Sequence, residues 1–290
     1  MNTCTLSSNL MVGERVGPNR LPALRMGMLY TKVRIPGNGS KYRDQSLVVK
    51  ASSMAIRAKE SLLEMGEFTI NCATAGQGKH LILLHGGDTR ESWRTWESFL
   101  PLGEWYSLVM PDLIGFGKSS RPNETPSYTV QARIVTEMMD RLSVPTAVLI
   151  GSTWGGQVAL QVAIEQPERV EGIVLISSTY DKSQLPRLRK VRRPTLILWA
   201  EDNMVAQLKA GYLLRDAIGT SRLEVLEPVA KDPAQDFTIA HHLERYKSEV
   251  LIQKIRDFLD APQNMVREPP EMEAELRGMA LKAEKKEDDD

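Results

Sequence analysis

The chain has 290 residues, 42% of them hydrophobic, with 37 Lys plus Arg against 37 Asp plus Glu. That is enough length for one large domain with tails and enough apolar content for a substantial core. A formal net charge of zero removes any whole-chain electrostatic argument for nucleic acid or an anionic membrane, and no run of about 18 apolar residues offers a membrane span.

Charge is uneven along the chain. Residues 1–59 hold ten Lys or Arg against Glu14 and Asp44, a composition shared by organelle-targeting leaders and by plain unstructured extensions. Residues 1–62 are therefore read as a basic N-terminal extension of one of these two kinds, which leaves the compartment open. From residue 63 the pattern alternates strand and helix. Short apolar runs at 67–73, 80–84 and 105–110 predict strands. An apolar stripe over 130–142 predicts a helix, followed by a buried strand at 146–150, a helix at 155–166, and strands at 172–176 and 195–199. A helix at 206–218 and a strand at 223–226 come next. An amphipathic helix at 247–259, with Val250, Leu251, Ile255, Phe258 and Leu259 on one face, closes the domain at residue 260. Such alternation implies an α/β domain built on a mostly parallel, doubly wound sheet. Residues 261–290, rich in Pro, Glu and Lys and ending in three aspartates, cannot bury enough apolar surface to order themselves and read as a charged, disordered tail.

The most specific feature is residues 148–156, V-L-I-G-S-T-W-G-G. It has the frame G-x-S-x-G, a sharp strand-to-helix turn that presents a nucleophile, with small flanking residues that let strand and helix approach closely. Gly151 and Gly155 fill the flanks, but Thr153 takes the nucleophile position. The central residue of such a turn sits at positive φ, which is strained for a β-branched side chain. Ser152 could replace it only if the turn slipped by one residue, which would misplace Gly155.

Further motifs lie around this turn in a fixed order. They are L-I-L-L-H-G-G at 81–87, P-D-L-I-G-F-G-K-S at 111–119, Q-P-E-R-V at 166–170 followed by G-I-V-L-I-S, and R-P-T-L-I-L-W-A-E-D from Arg193. Together they resemble the α/β-hydrolase superfamily over residues 67–260. In motif style the segment is most similar to the haloalkane dehalogenase and epoxide hydrolase branch. The resemblance implies an α/β-hydrolase fold. It also implies an oxyanion hole from the backbone amides of Gly87 and Trp154, beside His85. Between Ser178 and Leu196 only a short basic linker stands where many relatives insert a helical cap, so the fold is expected with a minimal cap or none, and the linker as a solvated connection.

The same resemblance locates the other catalytic positions. After the strand L-I-L-W the register runs Ala200, Glu201, Asp202, Asn203, which puts Asn203 at the acid position with Asp202 adjacent. An amide in place of the orienting carboxylate lowers turnover by about 10⁴ in a serine protease. The base position has three frames. Counting forward from the strand at 223–226 gives Lys231, counting back from the closing helix gives His241, and aligning on H-L-E-R gives Ile239. His241 and His242 are the histidines available for the base role.

Two main readings follow. In one the triad has degenerated, leaving a weakly active or non-catalytic binding or scaffold protein. It would hold a small carbonyl or carboxylate ligand and meet a protein partner through its terminal extensions. In the other it is a working hydrolase of a small ester or epoxide-like substrate, using Thr153 with His241 and Asp202. A third possibility is residual esterase activity from the oxyanion donors alone. Cys4 and Cys72 lie far apart without metal spacing and read as free thiols, and no phosphate-binding glycine loop is present, so no metal and no cofactor are expected.

Overall fold

A computed structural model describes residues 29–36, 42–49, 56–228 and 240–261. The expected leader at the extreme N-terminus, the charged tail beyond 261 and the candidate Lys231 lie outside the described residues. The chain divides into two units, Met1–Ala55 and Ile56–Asp290. In the first, β1 (Leu29–Pro36) pairs antiparallel with β2 (Tyr42–Val49), Leu29 opposite Val49. The extension read from charge alone thus carries a hairpin. Its run T-K-V-R-I alternates charged and β-branched residues, the period of a strand.

The second unit is built on eight strands: β3 (Lys59–Met65), β4 (Phe68–Ala75), β5 (Lys79–Leu84), β6 (Tyr106–Pro111), β7 (Ala147–Ser152), β8 (Val170–Ile176), β9 (Thr195–Ala200) and β10 (Ser221–Leu226). Their order in the sheet is β10-β9-β8-β7-β5-β6-β4-β3. The pairs β3·β4 and β4·β6 are antiparallel and the other five are parallel. Seven of the eight were legible as apolar runs. The edge strand β3, K-E-S-L-L-E-M, is mostly exposed and has no apolar alternation, so the sheet begins inside the segment assigned to the extension.

Period-two alternation shows why both faces must be covered. Ile82, Leu84, Leu149, Ile173, Leu175, Ile197 and Trp199 point to one face and join α1 (Tyr128–Arg141), α2 (Trp154–Glu165) and α4 (Leu208–Ala217). Leu81, Leu83, Val148, Ile150, Val174, Ile176, Leu196 and Leu198 point to the other. There they meet a 3₁₀ segment, Trp93–Glu104, together with α5 (Leu243–Tyr246) and α6 (Ser248–Asp260). Burying both faces of β5, β7 and β9 makes them continuous apolar runs and the sheet doubly wound.

The connection between β8 and β9 holds only one short helix, α3 (Leu185–Leu188), so no cap domain stands there. It is not the solvated linker that its charge suggested. Leu188 and Val191 are buried, and the Gln184 amide donates to Gln161 Oε1 at 3.1 Å and to the Gln157 carbonyl at 3.3 Å. Basic residues exposed at the surface hide the apolar positions that pin the segment to α2.

Candidate functional site

The carboxyl ends of β5, β6, β7, β8 and β9 converge on the elbow, the usual ligand-binding edge of an open parallel sheet. Thr153 sits between β7 and α2 at φ 48° and ψ −114°, nine-tenths or more buried. Its N–H donates to the Ile176 carbonyl at 2.9 Å, and its own carbonyl accepts from Gly156 and Thr179 at 3.2 and 3.1 Å. The glycine frame is explained by distance. A Cβ on Gly155 would lie 2.2 Å from the Leu84 carbonyl oxygen, and one on Gly151 would lie 2.4 Å from the Gly156 Cα.

The β-branched occupant carries a cost. A non-glycine residue held in so sparsely populated a region loses about 1–3 kcal/mol. Thr153→Gly is therefore expected to raise unfolding stability by about 1 kcal/mol after the entropic penalty of glycine. A chemical-denaturation midpoint that falls in this variant would show that the threonine methyl packs better than its backbone is strained.

Beside the elbow, the His85–Gly87 turn is pinned in place. His85 is fully buried, its Nδ1 donating to the Gly86 carbonyl at 2.7 Å and its Nε2 accepting from the Leu113 N–H at 3.0 Å. Burial pushes its pKa down to about 4, so the ring is neutral and both nitrogens hold the turn. The Thr153 hydroxyl lies against Gly86, 2.4 Å from where a Cβ would stand, and Gly87 lies against the Trp154 side chain. Trp154 is the first residue of α2, where backbone N–H groups have no partner within the helix. Among the described residues neither the Gly87 nor the Trp154 N–H is taken by an acceptor. Two free amides thus flank the elbow, as an oxyanion site requires.

The turn P-D-L-I-G-F-G-K-S supports this arrangement from behind. Asp112, buried, accepts from the Trp93 N–H at 2.6 Å, the Lys118 N–H at 2.8 Å and the Asn71 amide at 2.9 Å. It therefore ties β6 to the 3₁₀ segment and to β4.

Asn203, which the sequence resemblance put at the acid position, is fully engaged. Its Oδ1 accepts from the N–H groups of Val205 and Ala206 at 3.1 and 2.9 Å, and its Nδ2 donates to Ser177 Oγ at 3.1 Å. It closes the loop after β9, the local backbone-bonding role for which Asn is suited. Asp202, half-buried beside it, also makes an interaction of its own. His241 is half-buried and its Nδ1 is sealed without a hydrogen-bond partner. Burial, and then the neighbouring His242, lower its pKa. Among the described residues no hydrogen bond joins the Thr153 hydroxyl to a histidine, nor His241 to a carboxylate.

A second cluster, missed at the sequence level, lies beneath the elbow. Ser152 Oγ donates to Glu244 Oε2 at 2.9 Å, and Glu244 Oε1 stands 3.3 Å from His242 Nδ1. Glu91 accepts from Thr95 and Arg245 and lies 3.9 Å from His242 Nδ1. The Glu91 and Glu244 side chains are each only 1% exposed. The bond to Glu244 raises the His242 pKa, and burial raises that of Glu91. Glu91, His242 and Glu244 bring one ligand atom each within 4.8 Å of one another. The Arg245 guanidinium bonds to Glu91 in this group, so the charges there form an ion-pair network. The spacing H-L-E, a carboxylate two residues after a histidine, was the one signal of this cluster in the sequence.

This strand order and this elbow are those of a known fold, and the comparisons agree. Residues 79–188 match the family model for the α/β hydrolase fold. The chain has the α/β-hydrolase fold. It is similar to 2-hydroxymuconate semialdehyde hydrolase of Pseudomonas sp. (strain CF600), 34% identical over 111 residues, which cover 37% of this chain and 39% of that one. It is also similar to the soluble epoxide hydrolase of Corynebacterium sp. (strain C12), 33% identical over 110 residues and 38% of each chain. The alignments thus span about two fifths of the length of these relatives. In fold it resembles the meta-cleavage product hydrolase of Pseudomonas fluorescens IP01, with a TM-score of 0.61 at 18% identity, covering 72% of this chain and 99% of that one. No described helix is long and apolar enough to cross a membrane.

Proposed function

We propose that this α/β-hydrolase-fold protein binds a small carbonyl or carboxylate compound at the amides of Gly87 and Trp154 and forms no acyl-enzyme, its nucleophile, base and acid relay having degenerated. The observation that carries this reading is Asn203. Its side chain is spent on Ser177, Val205 and Ala206, leaving neither charge nor a free acceptor to orient a base. A threonine hydroxyl without a positioned base is a poor nucleophile, whereas amide donors work without any particular side chain. The basic N-terminal extension, residues 1–62, and the charged tail, residues 261–290, are assigned, in the same proposal, to contact with a protein partner.

Two measurements test it. In ¹⁵N spectra of the full chain, titration with small ketones and with acetate should shift the Gly87 and Trp154 amide resonances. Incubation with 4-nitrophenyl acetate should give no stoichiometric burst and no acetyl adduct by intact-protein mass. A burst that disappears in Thr153→Ala, with an acetyl group mapped to Thr153, would sink the reading in favour of a working covalent hydrolase.

A further inference from the structure

The connection from β8 to β9 turns its apolar residues inward and its charges outward. From Lys182 to Arg193, K-S-Q-L-P-R-L-R-K-V-R-R, six of the twelve residues are cations and none is an acid. Gln184, Leu188 and Val191 are buried. The N–H groups of Arg187 and Leu188 donate to the Gln184 carbonyl at 2.8 and 3.1 Å. Those of Lys190 and Val191 donate to the Arg187 and Leu188 carbonyls at 2.9 and 3.0 Å. These bonds and the buried anchors hold the backbone of the segment against the body of the fold.

Lys182, Arg187, Arg189, Lys190 and Arg192 are all exposed. Among the described residues no carboxylate pairs with any of them. Asp181, the nearest acid in the sequence, bonds instead to the N–H and hydroxyl of Ser183. Elsewhere on the surface Arg94, Lys118, Arg169 and Lys254 each meet a carboxylate. In a chain of zero net charge the excess is therefore local. Five like charges held on one short segment repel one another, and an opposing negative surface relieves that repulsion.

An apolar feature beside them selects the kind of surface. Asn203 bonds to Ser177 at the start of the connection, and α4 packs against α3. Between those two contacts lie Met204 and Val205, 75% and 49% exposed. A nucleic-acid backbone or a purely acidic peptide answers the cations and leaves these two side chains in water. A bilayer answers both, because its headgroups meet the cations while short apolar side chains enter the boundary with the acyl chains.

We propose that the β8–β9 connection, with the Met204–Val205 loop beside it, docks the protein reversibly on membranes rich in anionic lipid. The protein lies on the surface and does not cross it. Each cation acts through its charge within a Debye length of about 8 Å at physiological salt.

The experiment sediments the full chain with vesicles of phosphatidylcholine alone or with about one third phosphatidylserine, at about 0.05 and about 0.5 M NaCl. Thermal melts check the folding of each variant. Wild type should bind the anionic vesicles at low salt, leave them at high salt and stay off phosphatidylcholine. Arg189→Gln with Lys190→Gln and Arg192→Gln should weaken binding about 100-fold, three cations having left the surface. If that variant fails to fold, Lys190→Gln alone should weaken binding about fivefold. Arg189→Lys with Arg192→Lys should bind as wild type does, since a lipid surface responds to charge and not to the guanidinium fork. Met204→Ser with Val205→Ser should weaken binding about fivefold and leave the salt dependence unchanged. Unchanged binding in the Gln variants would overturn the proposal and move the contact to another basic segment, such as the N-terminal extension. Equal binding to phosphatidylcholine, or none to the anionic vesicles at low salt, would overturn it too. Loss of binding in the Lys variant would overturn it in favour of a protein partner that needs the arginine fork.

Discussion

Gly155→Ala is expected to destabilise the hydrolase-fold unit by about 4 kcal/mol, among the larger effects a single methyl group can have. The new Cβ would fall 2.2 Å from the Leu84 oxygen, 2.4 Å from the His85 oxygen and 2.6 Å from the Leu84 carbonyl carbon. All three are backbone atoms, so no rotamer change relieves the overlap. The start of α2 would have to lift from the end of β5. That end is held from the other side by the parallel pairing of Leu84 with Gly151. For a unit of this size the loss corresponds to a fall in Tm of about 10 °C. It should appear as a lower denaturant midpoint at unchanged slope. A melt within about 2 °C of wild type would show that strand and helix can separate cheaply, and the fold-keeping role of the glycine frame would fall with it.

Asp112→Ala should cost about as much by a different route. The side chain is buried and answers three donors, the Trp93 and Lys118 N–H groups and the Asn71 amide. Removing it strands donors that cost about 1–3 kcal/mol each when unsatisfied, and the terms are not additive because the loop relaxes as a unit. A total near 4 kcal/mol is therefore expected. Function should suffer as well, since Leu113 follows directly and its N–H holds the His85 ring at Nε2, while the ring's Nδ1 holds the Gly86 carbonyl. Loss of the Gly87 and Trp154 shifts on ketone titration should accompany the loss of stability. Destabilisation without any change in binding would show that the His85 turn stands without support from Asp112.

How far the site could be read beforehand differs residue by residue. The elbow, the His-Gly turn and the turn after β6 are local motifs in which the chain's own neighbours set the conformation, and each lies where its spacing placed it. Counting from β9 singled out Asn203, but its commitment to Ser177 depends on the end of β8, which no local pattern reports. The base position stayed divided among frames because the sequence after β10 shows neither period 2 nor period 3.6 to carry the register forward. Glu91 had no signal at all, since its partners Thr95, His242 and Arg245 come from two segments about 150 residues apart in the chain.

By itself the sequence determined the doubly wound sheet, its apolar strands, the strained turn at Thr153 and the missing cap. Those follow from periodicity, glycine spacing and chain length, which act within a few neighbouring residues. Only the tertiary structure decided that Asn203 is spent, that the basic linker is packed down, and that His242 rests on Glu244 over Ser152. Each of these is a question of which polar atom finds a buried partner, and burial brings together residues that are distant in the chain.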